Sequence, residues 1–213
     1  MSRGTFSGTQ RLSVGAPIGI SVFTIHLWIY LPTTQSANNR IWQLGNSIGL
    51  GFQGASSRQA QIVDEGIAWR GAGVAVTLNI WASIGVVRNG GAYALYYEGN
   101  GIESPAAAPQ ALSGAFVVGN SVDATHSLNG YVAGLTTWSV ALSANEILLL
   151  KRGMSPLLIQ PASIQGHWPL WGQGGVGVHE PDLTIQQRTL GQIGNPGIAG
   201  NPATPSPVPA YPL

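Results

Sequence analysis

Residues 129–156, NGYVAGLTTWSVALSANEILLLKRGMSP, read as a strand running into one short, fully punctuated helix. Ser143 and Glu146 have the spacing of a capping box, in which each side chain satisfies a free backbone N–H of the first turn. Leu142 before the cap and Ile147 after it take the hydrophobic-staple positions. Lys151 and Arg152 fall in the last turn, where the helix dipole favours cations, and Gly153 supplies a left-handed stop. Elsewhere, 30 Gly and 14 Pro over the whole chain punctuate many short strands and turns. The helix is an exception within an all-β chain.

Upstream, alternation puts Phe23, Ile25, Leu27, Ile29 and Leu31 on one strand face and Thr24, His26, Trp28 and Tyr30 on the other. The aliphatic face must be core. The amphipathic face suits the concave sheet of a sandwich or a contact with a partner. Residues 10–14 read as a first strand, and residues 41–44 and 48–52 as a hairpin across Gly45 and Asn46. Residues 84–88 and 92–97 flank Asn89, Gly90 and Gly91, a hairpin signal because Asn and Gly tolerate positive φ. An Ala- and Pro-rich loop at 104–109 precedes a strand at 115–118. The expected core comprises Phe23, Ile25, Leu27, Ile29, Phe116, Val118, Leu135 and Ile147.

Four of these segments, in this order, resemble the laminin-G-like domains of the concanavalin A-like superfamily. Residues 129–156 match the closing strand and helix, with Trp138 and then Leu142, Ser143, Glu146 and Ile147 in place. FTIHLWIYLP at 23–32 resembles the family's Phe-Thr-Ile-x-x-Trp-Val-Tyr-x-Pro strand. Residues 81–99 resemble its Trp…Tyr-x-x-Gly hairpin, and residues 112–120 its glycine-bounded approach. The resemblance spans roughly residues 5 to 158 and implies a two-sheet antiparallel jelly-roll sandwich with one short helix.

Three units are expected: a sandwich over 1–158, an extension over 159–188 packing on or beside it, and an extended tail over 189–213. In the extension, residues 167–170 and 180–183 are similar to a segment that follows laminin-G-like domains in phage and prophage structural proteins. The tail carries no charge and no hydrophobic period; Gly-Asn-Pro occurs at 194–196 and 200–202, and Pro205, Pro207, Pro209 and Pro212 follow. Such a segment builds no core and is extended or polyproline-like.

A chain of 213 residues can bury one sizeable core. Charged residues make up only 8%, against about 25% in a typical domain. The net charge is +1, and Lys151 is the single lysine. Edge strands of a lone sandwich usually carry protective lysines, and interface cores are poor in charge. A homo-oligomer, or a protein packed against a partner, is expected; the alternative is a monomer with a polar surface of Ser, Thr, Asn and Gln. Cysteine is absent, which excludes disulfides and thiolate metal sites. Residues 1–5 show no basic-then-apolar leader, and the apolar stretch 15–31 alternates as strands do, so neither a signal peptide nor a membrane span is expected. The nine basic residues are scattered and offset by eight acids, so nucleic acid is not an expected partner.

Glycoside hydrolysis needs two carboxylates flanking the scissile bond. Laminarinase-type enzymes with this sandwich carry them as Glu-x-Asp-x-x-Glu, and no such triplet occurs here. Asp64 and Glu65 are adjacent, so a strand points them to opposite faces, and Glu98 and Glu103 read as turn residues; all four are expected as solvated turn carboxylates. Some laminin-G-like domains bind calcium, but the comparable loop, 120–123, offers the Asp123 carboxylate alone where calcium takes about six to eight oxygens. His126, His167 and His179 with Glu180 lack ligand spacing, and the glycine-rich 172–177 lacks the lysine of a phosphate loop. Neither metal nor cofactor is expected. Trp42, Trp69, Trp81, Trp138, Trp168 and Trp171 could stack on sugars, although a strand Trp is more often core.

The resulting expectation is a non-enzymatic structural protein of a phage virion, a capsid decoration or appendage protein, assembled in the host cytoplasm. Its partners would be itself and a capsid or other virion protein. Ile198, Val208, Tyr211 and Leu213 would anchor the tail as an assembly contact. The alternative is a lectin-like module that binds a cell-surface glycan.

Overall fold

The computed structural model describes residues 3–4, 6, 10–14, 21–66, 68–104, 112, 114–170, 182–184, 188 and 190–193. Its strands are β1 (Arg3–Gly4), β2 (Arg11–Val14), β3 (Val22–Tyr30), β4 (Arg40–Leu44), β5 (Ile48–Phe52), β6 (Gln59–Asp64) and β7 (Ala68–Ala75). There follow β8 (Trp81–Asn89), β9 (Ala92–Tyr97), β10 (Asn100–Ser104), β11 (Phe116–Val118) and β12 (Tyr131–Trp138), then the helix α1 (Ala144–Lys151), β13 (Ile164–Trp168) and β14 (Gly191–Ile193). Every pairing among them is antiparallel. One sheet runs β1-β12-β3-β8-β9-β10, with β13 also on β12; the other runs β14-β2-β11-β4-β5-β6-β7. This is the jelly-roll sandwich. No helix among the described residues is long and apolar enough to cross a membrane.

The alternation of β3 sets the core. Phe23, Ile25, Leu27 and Ile29 are wholly buried and face Phe116, Val118, Trp42 and Leu50 of the other sheet in one cluster. Trp42 and Phe116 tilt together with ring centroids 5.9 Å apart. Seven of the eight expected core residues lie in this cluster. Ile147 is as buried but belongs to a second one, under α1.

That second cluster covers one end of the other β3 face, and burial continues from Thr24 to Trp28, leaving Tyr30 half-buried. At the Thr24 end α1 packs Ile147 and Leu150 against Trp138, Val87 and Ile164. Thr24 Oγ1 donates to the Val140 carbonyl (2.8 Å) and accepts from the Leu142 N–H (2.9 Å), fixing the approach to the helix. In the middle lie His26, Ser83, Thr136 and His167, all buried. At the far end Trp28 and Trp81 form a third cluster with Tyr30 and Tyr131.

The punctuation of α1 is as its residues dictate. Glu146 N–H donates to Ser143 Oγ (3.3 Å), and Ser143 N–H donates to Glu146 Oε2 (2.8 Å). Gly153 sits at φ 87°, its N–H on Leu150 O and the next N–H, of Met154, on Leu149 O. These two bonds satisfy two of the free carbonyls in the last turn of the helix.

The stretch expected as an extension supplies β13, hydrogen-bonded along β12, and Trp168 Nε1 donates to Arg188 O (2.7 Å). Residues 191–193, at the start of the expected tail, pair with β2. The proposed anchors Ile198, Val208, Tyr211 and Leu213, with His179, Glu180, Trp171 and the 172–177 loop, lie outside the described residues.

Candidate functional site

The outer face of the second sheet carries the polar clefts. Trp42 and Leu44 pair with Val118 and Phe116 and point inward, so Gln43 between them points out. Pairing carries that outer face from Gln43 through Gly49 and Val63 to Trp69, across β4, β5, β6 and β7. Next to it, Arg40 pairs with Gly51, ahead of a register shift in β4. The two glycines of β5 leave room for long side chains to lie flat. A β-carbon at Gly51 would run into Asn39 O and the Arg40 side chain, and one at Gly49 would meet Glu65 Oε1 and Trp42 O at 3.0 Å.

Arg40 occupies that room. Its Nε and Nη2 donate to Glu65 Oε1 and Oε2 at 2.8 and 3.0 Å, a fork-on-fork pair, and Nη1 donates to Asn38 O. The guanidinium stands 5.0 Å from the centroid of the Trp69 ring, within cation–π range. The side chains of Arg40 and Glu65 are 7% and 15% exposed, so the pair is built into the floor.

Two clefts share this floor. One, of about 280 Å³, is lined by Arg40, Gln43, Asn46, Glu65, Ser121 and Asp123. The other, of about 270 Å³, has Trp69, Asn38, Val63 and His126 around the same Arg40 and Glu65. Both are close to the lower size limit of ordinary ligand sites, about 300 Å³. The loop after β11 forms the wall. Gln43 Oε1 accepts from Val122 N–H (3.0 Å), and Arg40 N–H donates to His126 O (3.0 Å), so the loop is tied to β4 at both ends.

Within that loop Asn120 Oδ1 and Asp123 Oδ1 are held by the loop's own groups. Asn120 Oδ1 accepts from the N–H groups of Ser121 and His126 at 2.8 and 3.1 Å. Asp123 Oδ1 accepts from the hydroxyls of Ser121 and Thr125 and from the Thr125 N–H. These bonds, the Ser121 hydroxyl first, hold the Asp123 carboxyl below its ordinary pKa. Among the described residues no group of three His, Cys, Asp or Glu could hold a metal ion.

The other singled-out residues are dispersed. Asp64 and Glu65 do diverge, but neither is a solvated turn carboxylate. Asp64 is 2% exposed and accepts from Arg70 Nε at 2.7 Å, and Glu65 pairs with Arg40. Glu98 does sit in a turn, at φ 52°, where it accepts from Ser83 N–H (2.6 Å). Glu103 lies in β10. Trp42, Trp138 and Trp168 are core and Trp81 is buried, whereas Trp69 lines a cleft. His126 stands 4.0 Å from Asp123, and His167 is interior. Arg40, which the sequence reading passed over, is the centre of the site. Its only local signal is a charge opening an apolar strand opposite two alternating glycines.

No protein of curated function matches the chain in sequence. Among solved structures the fold is similar to a candidate carbohydrate-binding protein from Bacteroides ovatus (TM-score 0.69, 20% identity), over 91% of this chain and 58% of that one. It is similar also to a heptameric pentraxin from Limulus polyphemus (TM-score 0.53, 16% identity, 70% of this chain and 79% of that one). A third is domain 4 of an extracellular arabinanase from Geobacillus stearothermophilus, in complex with arabinotriose (TM-score 0.50, 15% identity, 62% and 68%). At these identities the likeness is one of fold, and the chain spans 58% of the length of the Bacteroides protein. A family model matches residues 6–148, well over half of the sequence, and the chain belongs to the laminin-G-like group of the concanavalin A-like lectin/glucanase superfamily.

Proposed function

We propose that this protein is a non-catalytic glycan-binding module whose site is the Arg40–Glu65–Trp69 groove. The observation that carries the reading is a preassembled floor of planar polar groups beside an aromatic ring. A sugar offers hydroxyls at the ring edge and C–H groups on its faces. Fixed acceptors and donors meet the first, and an indole meets the second. The Bacteroides neighbour, a candidate carbohydrate-binding protein, and the Geobacillus domain, in complex with arabinotriose, support this reading.

Binding rather than hydrolysis fits the two carboxylates that share a cleft. A glycosidase keeps one carboxyl protonated to donate to the leaving oxygen. Here Glu65 is an acceptor for two guanidinium N–H groups, and Asp123 is held below its ordinary pKa. Arrayed on a virion surface through its charge-poor faces, such a module would attach a particle to a cell-surface glycan. Self-association and a virion partner belong to the same proposal, and native mass measurement tests them.

The test of the site is Trp69→Ala, with glycan-array binding, calorimetry and product analysis. Affinity should fall at least about tenfold, equivalent to roughly 1.4 kcal/mol, with the circular dichroism spectrum unchanged and no product formed by either protein. Undiminished binding by a folded Trp69→Ala protein would place the site elsewhere.

A further inference from the structure

We infer that the groove selects uncharged sugars and rejects acidic ones, sialic acids and uronates included; this rests on the glycan-binding reading above. An arginine on a sugar-site floor would ordinarily favour a carboxylate ligand, since its fork matches two oxygens. Arg40 is not available for that. Two of its nitrogens are already paired with both oxygens of Glu65, and the third donates to Asn38 O. Its face lies against Trp69, and 7% of its side chain is exposed. A carboxylate entering the groove would therefore meet a cancelled charge.

The other charges point the same way. Asp64, at the edge of the Trp69 cleft, is cancelled by Arg70. With histidines counted neutral, the charge among the described lining residues with no opposite partner is Asp123, 66% exposed on the wall. Neither cleft has a described lysine on its lining. A sugar anion would lose its hydration and gain repulsion from Asp123, whereas a hydroxyl donates to that same carboxylate. The arginine thus acts as a scaffold: it fixes Glu65, and the pair offers the ligand acceptor oxygens in one plane.

The experiment uses the full chain, with neutral pentose and hexose oligosaccharides set against sialyllactose and oligogalacturonate by titration calorimetry or ligand-observed NMR. Neutral sugars should bind at least about tenfold more tightly than either acid, with an affinity that changes less than about twofold between low and high salt. Glu65→Gln keeps the shape of the floor but uncovers the Arg40 charge, and should raise affinity for the acidic sugars about tenfold. Asp123→Asn, at the exposed wall, should narrow the gap between the two classes and serves if the buried change fails to fold. Acidic sugars binding as tightly as neutral ones to the unaltered protein would overturn the selectivity but leave the groove as a glycan site. Binding of neither class would remove both.

Discussion

His26 shows how much one buried ring can govern. Its Nε2 lies 2.9 Å from Ser83 Oγ, and its Nδ1 is buried with no hydrogen-bond partner among the described residues. Burial, and then the nearby His167, push its pKa down from 6.5 to about 3. Burial takes His167 down to about 4, against the opposing pull of Asp182 and the Leu135 backbone. Both rings stay neutral in the folded chain at pH values where the unfolded chain protonates them. The unfolded state then binds more protons, so the stability from these sites is complete above pH 6.5 and is lost as pH falls towards 4 and 3. Asp123 and Glu146, with lowered pKa values, act only at lower pH, so the interval just below 6.5 belongs to the histidines. Melting temperature should fall by roughly 10 °C between about pH 7 and pH 5. NMR signals of both rings should keep their neutral shifts over that interval. A ring that titrates near 6.5 would show that this interior is more open than its packing implies.

At the scale of elements, β5 couples stability to the site. Gly51→Ala adds a carbon against the Asn39 carbonyl and Arg40, so either the backbone or the arginine must move. The change should cost about 1–3 kcal/mol in denaturant unfolding and weaken glycan binding together, whereas a residue with a packing role alone would move only the first. Elements differ in how legible they were beforehand. The caps of α1 were readable because a capping box and a left-handed stop are local, written within a few residues. The β8–β9 hairpin was readable at Asn89, Gly90 and Gly91 for the same reason. The groove was not, because β4, β6, β7 and the loop after β11 contribute to it and no sequence interval links them. Glu65 was misread as solvated for that reason: its partner Arg40 is two strands away. Strands β13 and β14 follow a stretch without clear alternation, and they are held by pairing with β12 and β2 rather than by pattern.

Considered whole, the molecule places its clefts and its described core within residues that end at Leu190, with β14 closing one edge of the second sheet. A chain ending after Ile193 should therefore melt within about 2 °C of the full chain and bind glycans with the same affinity, a difference under about 0.5 kcal/mol being expected away from core and site. Ending it three residues earlier strips β2 of a neighbour and should lower the melting temperature. If the longer truncation product also loses stability, residues 194–213 have a structural part beyond their composition.

The pairing of Ser13 with Gly191 also determines how the sandwich can be made. It joins the two ends of the described chain, and β3 with β12, or β2 with β11, bridge most of it as well. Such high contact order means that long loops must close before their contacts contribute, so folding belongs in the millisecond-to-second range rather than in microseconds. On the ribosome, β2 would wait with one edge bare until Gly191–Ile193 had emerged.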